Sequence, residues 1–267
     1  MKTETATEIV VQNRLLSGMP PDVFEHLRPY LQPVALKRRA ILQEHNRPIE
    51  RAYFLERGMA SLFARTNRDG PVEVALVGRL GVVGVAAILG IMRSPNRCLM
   101  EVPGEALAVD AREMQQIMET EPLVRQSLLN YVHALLIQHT QTALCNVRHH
   151  LKERLCRWLL LALDRVDDRV IPLSHDQLSM ILGVRRAGVT MALASLEDTG
   201  AVIKRRGAVE IADRAALENH ACECYRIIAG EYRRMTMRGV YHHALKKAPA
   251  GFCSDERRQP TAIVPVA

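Results

Sequence analysis

The chain has 267 residues, of which 48% are hydrophobic, and this length is enough for two domains that each bury a core. Its formal net charge is +7. Residues 148–247 hold 18 Lys and Arg against 12 Asp and Glu, so most of the positive excess lies in this C-terminal part. An excess of positive charge favours the binding of phosphate groups. The sequence has neither a secretory signal nor an apolar run long enough to cross a membrane, so we expect a cytoplasmic protein rather than a secreted or membrane one.

The N-terminal half begins with polar residues 1–13, which we predict to be mobile. Apolar residues from Asn13 to Leu31 then predict helix, broken near Pro20-Pro21. From Val34 to Val109, short runs rich in Val, Leu and Ile alternate with turn residues; one such run is 81–91. Several short strands at this spacing predict a β-sandwich or barrel.

A long helix is predicted next, since residues from Leu123 to Asn146 include neither Gly nor Pro. One face of this helix repeats at spacings of three and four. Its members are Leu129, Val132, Leu136, His139, Ala143 and Asn146. Such a stripe is typical of a seam between two paired helices. A helix that packs only on its own strands is the alternative.

Residues 174–200 predict two short helices joined by a tight turn. Ser174 and Gln177 have the spacing of a capping box, and Gly183 suits the turn. The second helix starts near Arg185 or Arg186. Residues 201–211 then predict two short strands around a basic turn. Together these features favour a winged helix-turn-helix over a helical hairpin with a solvated basic loop.

These residues resemble the DNA-binding domain of the Crp/Fnr family of bacterial transcription regulators. The matching motifs are Leu173-Ser174-x-Asp176-x-Leu178, Leu182-Gly183-Val184-x-Arg186, and Val189 through Leu196-Glu197 to Gly200. Less specific matches in the N-terminal half are Leu15-Leu16 with Phe24-x-x-Leu27, Tyr53-Phe54-Leu55-x-x-Gly58, and Gly81-Val82-Val83-Gly84. The resemblance covers roughly residues 14 to 234.

The resemblance implies an α+β fold with an N-terminal β-roll of the double-stranded β-helix or jelly-roll type, a long dimerisation helix and a C-terminal winged helix-turn-helix. The predicted division is a mobile N-terminus at 1–13, a cyclic-nucleotide-binding-like sensor domain at 14–118, the dimerisation helix at 119–147, the DNA-binding domain at 148–234 and a disordered tail at 248–267. A last helix is predicted from Arg214 to about Arg234.

The first turn of the second helix is the part of a helix-turn-helix that reaches base edges. We expect Arg186 to read a base, guanine by preference, while Arg185 and Thr190 contact bases or neighbouring phosphate. The full predicted DNA-binding set is Ser174, His175, Arg185, Arg186, Thr190, Lys204, Arg205 and Arg206. Family members often have a Glu directly after the residue that matches Arg186 and a second Arg further along the helix. This chain has Ala187 and Met191 at those two positions, so we expect it to prefer a different operator.

The resemblance also implies a ligand site. In cyclic-AMP-binding relatives a Gly-rich loop ends in a Glu that holds the ribose, and an Arg-Ser pair holds the phosphate. Val85 stands in place of that Glu, and Arg97-Cys98 was matched to the pair. The predicted ligand residues are Gly84, Val85, Arg97, Cys98, His139 and Thr140. We do not expect cyclic AMP to bind; a vestigial pocket and a different small-molecule effector both stay open.

No metal, cofactor or enzymatic activity is predicted. The chain has no Cys before Cys98, so the N-terminal iron–sulfur ligands of the oxygen-sensing branch are absent. If residues 220–224 form a helix, Cys222 points away from His220 and Cys224, which is poor geometry for one metal. We therefore expect these thiols to be buried or to have no chemical role, and oxidant sensing by Cys222 or Cys224 stays open. Gly81-x-x-Gly84 lacks the third Gly of a dinucleotide-binding loop.

The resulting hypothesis is a homodimeric, sequence-specific regulator of transcription that binds double-stranded DNA, and RNA polymerase if it is an activator. The alternative is a ligand- or redox-sensing interaction module whose DNA binding is weak or lost.

Overall fold

A computed structural model describes residues 11–65, 68 and 70–247, and the side chains of the last helix as far as residue 236. Residues 1–10 of the predicted mobile N-terminus and the predicted tail at 248–267 lie outside the described residues. Asn13 anchors the first helix to the β-roll. The buried Asn13 amide donates to the carbonyls of Leu55 and Gly81, and its oxygen accepts from two backbone N–H groups of the first helix.

The predicted N-terminal helix is two short helices, α1 (Arg14–Ser17) and α2 (Pro21–Leu27), followed by a 3₁₀ turn at Arg28–Tyr30. The break falls at the predicted prolines. Pro21 occupies the first turn of α2, where its missing N–H costs no hydrogen bond.

The N-terminal domain contains two four-stranded antiparallel sheets, which confirms the predicted β-roll. The strands are β1 (Gln32–Leu36), β2 (Ile41–Gln43), β3 (Arg51–Leu55), β4 (Met59–Ala64), β5 (Val72–Val77), β6 (Val82–Val83), β7 (Arg97–Val102) and β8 (Gly104–Asp110). Their orders are β1-β8-β3-β6 and β2-β7-β4-β5. The prediction of one apolar strand-like run at 81–91 was wrong. Gly84 has φ +98°, which ends β6 and starts the helical turn α3 (Val85–Ile88).

The helical middle of the chain consists of α4 (Ala111–Thr120) and the 27-residue α5 (Pro122–Arg148), which is the predicted dimerisation helix. α5 packs on the β-roll through buried Val124, Leu128, Tyr131 and Leu135. None of the helices in the described part of the chain combines the length and the apolar character that crossing a bilayer requires.

The C-terminal domain is the predicted winged helix-turn-helix. Its elements are α6 (Leu151–Leu163), β9 (Val170–Ile171), α7 (His175–Leu182), α8 (Arg186–Asp198), β10 (Val202–Arg205), β11 (Ala208–Ile211) and α9 (Arg214–His220), with sheet order β10-β11-β9. The prediction of a single last helix from Arg214 to Arg234 was wrong. Ala221 is extended (φ −82°, ψ 148°), and a second helix, α10 (Cys224–Lys247), lies along α5.

The C-terminal domain is docked on the β-roll by polar contacts as well as apolar ones. Trp158 of α6 donates to the Glu73 carboxylate on β5 at 2.6 Å. On the other side of the contact, Arg38 donates to the carbonyl of Pro172 at 2.7 Å and to the side chain of Gln177 at 3.0 Å. The orientation of the helix-turn-helix is therefore set by its contacts with the β-roll.

We predict that Glu73 makes this docking pH-dependent. Burial raises its pKa to about 7, and the opposing effects of Ser61, Trp158 and the charge of Arg157 are smaller. The contribution of Glu73 to stability is therefore fully present below about pH 4.5 and is lost as the pH rises through about 7. Relative to Glu73→Gln, the wild type should lose on the order of 2 kcal/mol of unfolding free energy between pH 5 and pH 8.

Urea unfolding at the two pH values measures this difference, with the exposed Glu119→Gln as the matched control. The control should follow the wild type at both pH values. An equal pH dependence in the wild type and in Glu73→Gln would show that Glu73 ionises without cost in the folded protein.

Candidate nucleic-acid interface and ligand cavity

The helix-turn-helix is fixed by hydrogen bonds at both ends of α7. Ser174 accepts from the backbone N–H of Gln177 at 3.3 Å, and the Gln177 side chain accepts from the backbone N–H of Ser174 at 3.1 Å. This is the predicted capping box. Gly183 ends α7 with φ +64° and turns the chain into α8. The Ser174 hydroxyl is thus used in capping, although its position at the start of α7 keeps it at the domain surface.

One face of α8 is buried and the opposite face is exposed. Val189, Leu193 and Leu196 are buried completely in the core of the domain. The exposed side chains on the first two turns of α8 are those of Arg186, Ala187, Thr190 and Met191. Met191 is 73% exposed.

The charged groups around α8 form only weak contacts within the protein. Arg186 Nε lies 3.3 Å from the Asp176 carboxylate, and both side chains are about two-thirds exposed, so water screens this pair. Arg185 is exposed and forms no ion pair with any residue that the structure describes. His175 Nδ1 and Thr190 Oγ1 lie 2.9 Å apart, which brings the two predicted contacts together.

The wing is the hairpin formed by β10, β11 and the turn at Arg206–Gly207. Two of its three predicted phosphate contacts are already paired with carboxylates. Lys204 Nζ lies 2.7 Å from Glu197, and the hydrogen bonds from Lys204 lower the pKa of Glu197. Arg205 lies 2.6 Å from Glu210. Arg206, at the tip, is exposed and has no ion-pair partner among the described residues, so its positive charge is the least compensated.

A cavity of about 330 Å³ lies between the β-roll and α5. Four of the predicted ligand residues line it: Gly84, Val85, Cys98 and His139. The structure does not bring the other two into the lining. Arg97 faces Glu44 at 3.4 Å, and the Thr140 hydroxyl donates to the carbonyl of Leu136 on its own helix.

Sequence reasoning missed the Arg-Ser dipeptide at residues 93–94. Arg93 and Ser94 line the cavity, together with the polar side chains of Gln43 and Asn96. The same dipeptide that holds a phosphate in the relatives was present in the sequence four residues before Arg97-Cys98, and this signal could have identified it. The rest of the lining is mainly apolar and contains no carboxylate.

The glycines of the 81–84 loop have structural roles beside the cavity. A Cβ on Gly81 would collide with the ring of Tyr131, whose hydroxyl donates to the carbonyl of Val82 at 3.1 Å. Gly84 needs its positive φ and packs against the backbone of Ala52. This loop therefore helps to hold α5 on the β-roll.

Comparison with known proteins gave one family model and a set of solved structures. The model, described as a Crp-like helix-turn-helix domain, matches residues 153–220. No curated protein sequence matches the chain. A Crp/Fnr-family regulator from Eubacterium rectale is similar in structure, with TM-score 0.60, 14% identity, and coverage of 77% of this chain and 96% of that one.

Two further structures are similar to the same extent. FixK2 from Bradyrhizobium japonicum has TM-score 0.62 and 15% identity, covering 72% of this chain and 98% of its own. The Crp/Fnr-family regulator TTHA1359 from Thermus thermophilus has TM-score 0.58 and 20% identity, covering 71% of this chain and 98% of its own. At these identities the structures establish the fold.

We predict that neither cyclic AMP nor cyclic GMP binds tightly. A ribose hydroxyl needs a buried acceptor, and the apolar side chain of Val85, which lines the cavity, offers none. Isothermal titration calorimetry of the purified protein should show no sub-micromolar binding of either nucleotide. A sub-micromolar dissociation constant would contradict this reading of the cavity.

Proposed function

The chain has the Crp/Fnr regulator fold with a Crp-like helix-turn-helix domain at residues 153–220, and from this premise we propose that it is a homodimeric, sequence-specific transcription regulator. It binds double-stranded DNA and acts by binding rather than by catalysis, in the cytoplasm. RNA polymerase is a further partner if the protein activates transcription.

The observation that carries the proposal is the exposed start of α8 beside an uncompensated cation on the wing. A recognition helix contacts bases with its first turns, while neighbouring elements contact phosphate. Arg185 and Arg186 stand at that start, and Arg186 has only a screened ion pair to exchange for a DNA contact. Arg206 at the wing tip supplies a positive charge for the adjacent backbone.

The exposed side chains of α8 indicate which base edges they suit. The guanidinium of Arg186 fits the O6 and N7 acceptors of guanine. Ala187 and Met191 present apolar surface, which suits the methyl group of thymine. We therefore propose a half-site in which a guanine is accompanied by thymine, and which differs from that of family members with charged residues at these positions.

Dimerisation is supported by the face of α5 that the β-roll and α10 leave uncovered. Leu129, Leu136 and Ala143 are exposed and follow one another at intervals of seven residues, and Leu136 is 59% exposed. His139 and Asn146 are also seven residues apart, and each lies three residues after a member of that series. Such a heptad seam on an exposed helix favours pairing with the same helix of a second copy. A two-fold pair presents two recognition helices to one duplex.

Regulation is supported by the shared wall between the cavity and this seam. Leu136 and His139 line the cavity and also belong to the predicted seam. An effector in the cavity would contact the dimer helix directly. The lining favours a molecule with a mainly apolar body and an anionic group near Arg93 and Ser94, rather than a cyclic nucleotide.

We predict different effects for a base-reading and a phosphate-binding arginine. Arg186→Ala should abolish the preference for the best operator over random duplex, since a bidentate guanine contact is worth about 1–3 kcal/mol. Arg206→Ala should weaken binding to all duplexes alike and reduce its salt dependence. Mobility-shift assays over a salt series measure both effects.

Lys204→Ala is the matched control on the wing, because Glu197 already pairs with Lys204. It should weaken binding less than Arg206→Ala does. Equal weakening by Arg186→Ala and Arg206→Ala, with no preferred sequence for the wild type, would favour the alternative of an interaction module without specific DNA binding.

We predict that Leu136→Glu converts the dimer to a monomer. A charge at the centre of the seam would have to be buried against its symmetric copy. Sedimentation velocity should give the mass of one chain for this variant and of two for the wild type. Ile227→Glu replaces an exposed apolar residue of α10 and should remain dimeric. A dimeric Leu136→Glu would contradict the proposed seam.

A further inference from the structure

Four potential metal ligands lie together where α5 ends. Cys145, His149, Cys222 and Cys224 each offer one ligand atom, and all four atoms lie within 4.8 Å of one another. The two Sγ atoms of Cys145 and Cys222 are 3.5 Å apart, and Cys224 Sγ is 3.7 Å from His149 Nδ1. The three cysteines are buried, and all are free thiols.

Two separate backbone features build this cluster. Cys145 and His149 are four residues apart at the end of α5, so they lie on the same side of the helix. Cys222 lies in the break between α9 and α10, and Cys224 is the first residue of α10. Because the backbone is extended at Ala221, these two thiols turn to the same side. The expectation of no metal assumed a continuous helix through 220–224, and that assumption was wrong.

The spacing fits one tetrahedral ion. With metal–sulfur bonds of about 2.3 Å, the ligand atoms of a tetrahedral site are separated by roughly 3.8 Å. The contacts of 3.5 Å and 3.7 Å are close to this value, and the longest separation of 4.8 Å requires only small side-chain rotations. Thiolate and imidazole ligands favour zinc over calcium or magnesium, which prefer oxygen.

The charge around the cluster suits such a site. Three thiolates, a neutral imidazole and a divalent ion would together carry one negative charge. Arg157 lies beside Cys145, is almost completely buried, and its Nε has no hydrogen-bond partner among the described residues. Its cation offsets the negative charge of the site.

We propose that Cys145, His149, Cys222 and Cys224 bind one zinc ion, with the ion tying the start of α10 to the end of α5. Four protein ligands leave no open position for a substrate, so the site is structural. It lies directly before His150, where α5 passes into α6 of the DNA-binding domain. The ion therefore fixes the junction through which α5 supports the helix-turn-helix. This proposal stands independently of the proposed DNA contacts.

Cobalt serves as the spectroscopic probe of this site. Full-length protein is reduced, stripped of metal with a chelator under anaerobic conditions, and titrated with Co²⁺. We expect saturation at one ion per chain, with the visible absorption of tetrahedral cobalt and a thiolate-to-cobalt charge-transfer band. One equivalent of Zn²⁺ should abolish both. Zinc should also raise the Tm, since the folded state brings all four ligands together and binds the ion more tightly than the unfolded chain does.

The variants separate this cluster from the other thiols. The double variant Cys222→Ser/Cys224→Ser should lose the cobalt spectrum and the rise in Tm. His149→Cys should keep tetrahedral binding with a stronger charge-transfer band. Cys156→Ala removes a buried thiol of α6 outside the cluster and should bind like the wild type.

Three results would overturn the proposal. The first is reduced wild-type protein that shows no saturable tetrahedral spectrum, a test that does not depend on whether any variant folds. The second is a spectrum that the double substitution leaves unchanged. The third is a Cys145–Cys222 disulfide whose reduction restores no metal binding. A Tm that zinc leaves unchanged would overturn the tying of α10 to α5.

Discussion

The side-chain amide of Gln138 is the point at which four parts of the chain meet. Its nitrogen donates to the carbonyl of Leu76 on β5, and its oxygen accepts from Arg165, which follows α6, and from Tyr232 of α10, each at 2.8 Å. Arg165 donates to the same Leu76 carbonyl and lies 4.9 Å from the ring centre of Tyr232. Buried polar groups are costly when unpaired, so this network fixes the four elements in one arrangement.

This arrangement determines which face of α5 is left uncovered. One side of the helix is covered by the β-roll and another by α10, and its end supports the DNA-binding domain. The face that remains carries the heptad of Leu129, Leu136 and Ala143 and borders the ligand cavity. The proposed dimer, the proposed effector contact and the proposed zinc site thus all lie on a single helix. A displacement of α5 would also displace the helix-turn-helix domain that follows it.

Local signals in the sequence predicted much of the fold and the elements that form the candidate DNA-binding surface. The capping box at Ser174, the turn at Gly183 and the prolines before α2 and α5 each depend on residues close in the chain. The features that the sequence did not predict depend on tertiary packing. The break at Ala221 has neither Gly nor Pro to mark it, and it forms where Cys222 packs against Cys145. The choice between the two arginines likewise depends on tertiary packing, since Arg93, in the segment before β7, lines the cavity, whereas Arg97 at the start of β7 faces Glu44.

The central claim is that two copies of α8, held by paired α5 helices, read one duplex together. Selection of bound sequences from a pool of randomised duplexes with the purified protein tests it most directly. The account predicts an enriched site with two-fold symmetry, whose half-sites contain guanine and thymine and lie about one helical turn, roughly 34–36 Å, apart. An enriched site without symmetry, or no enrichment at any salt concentration, would contradict it.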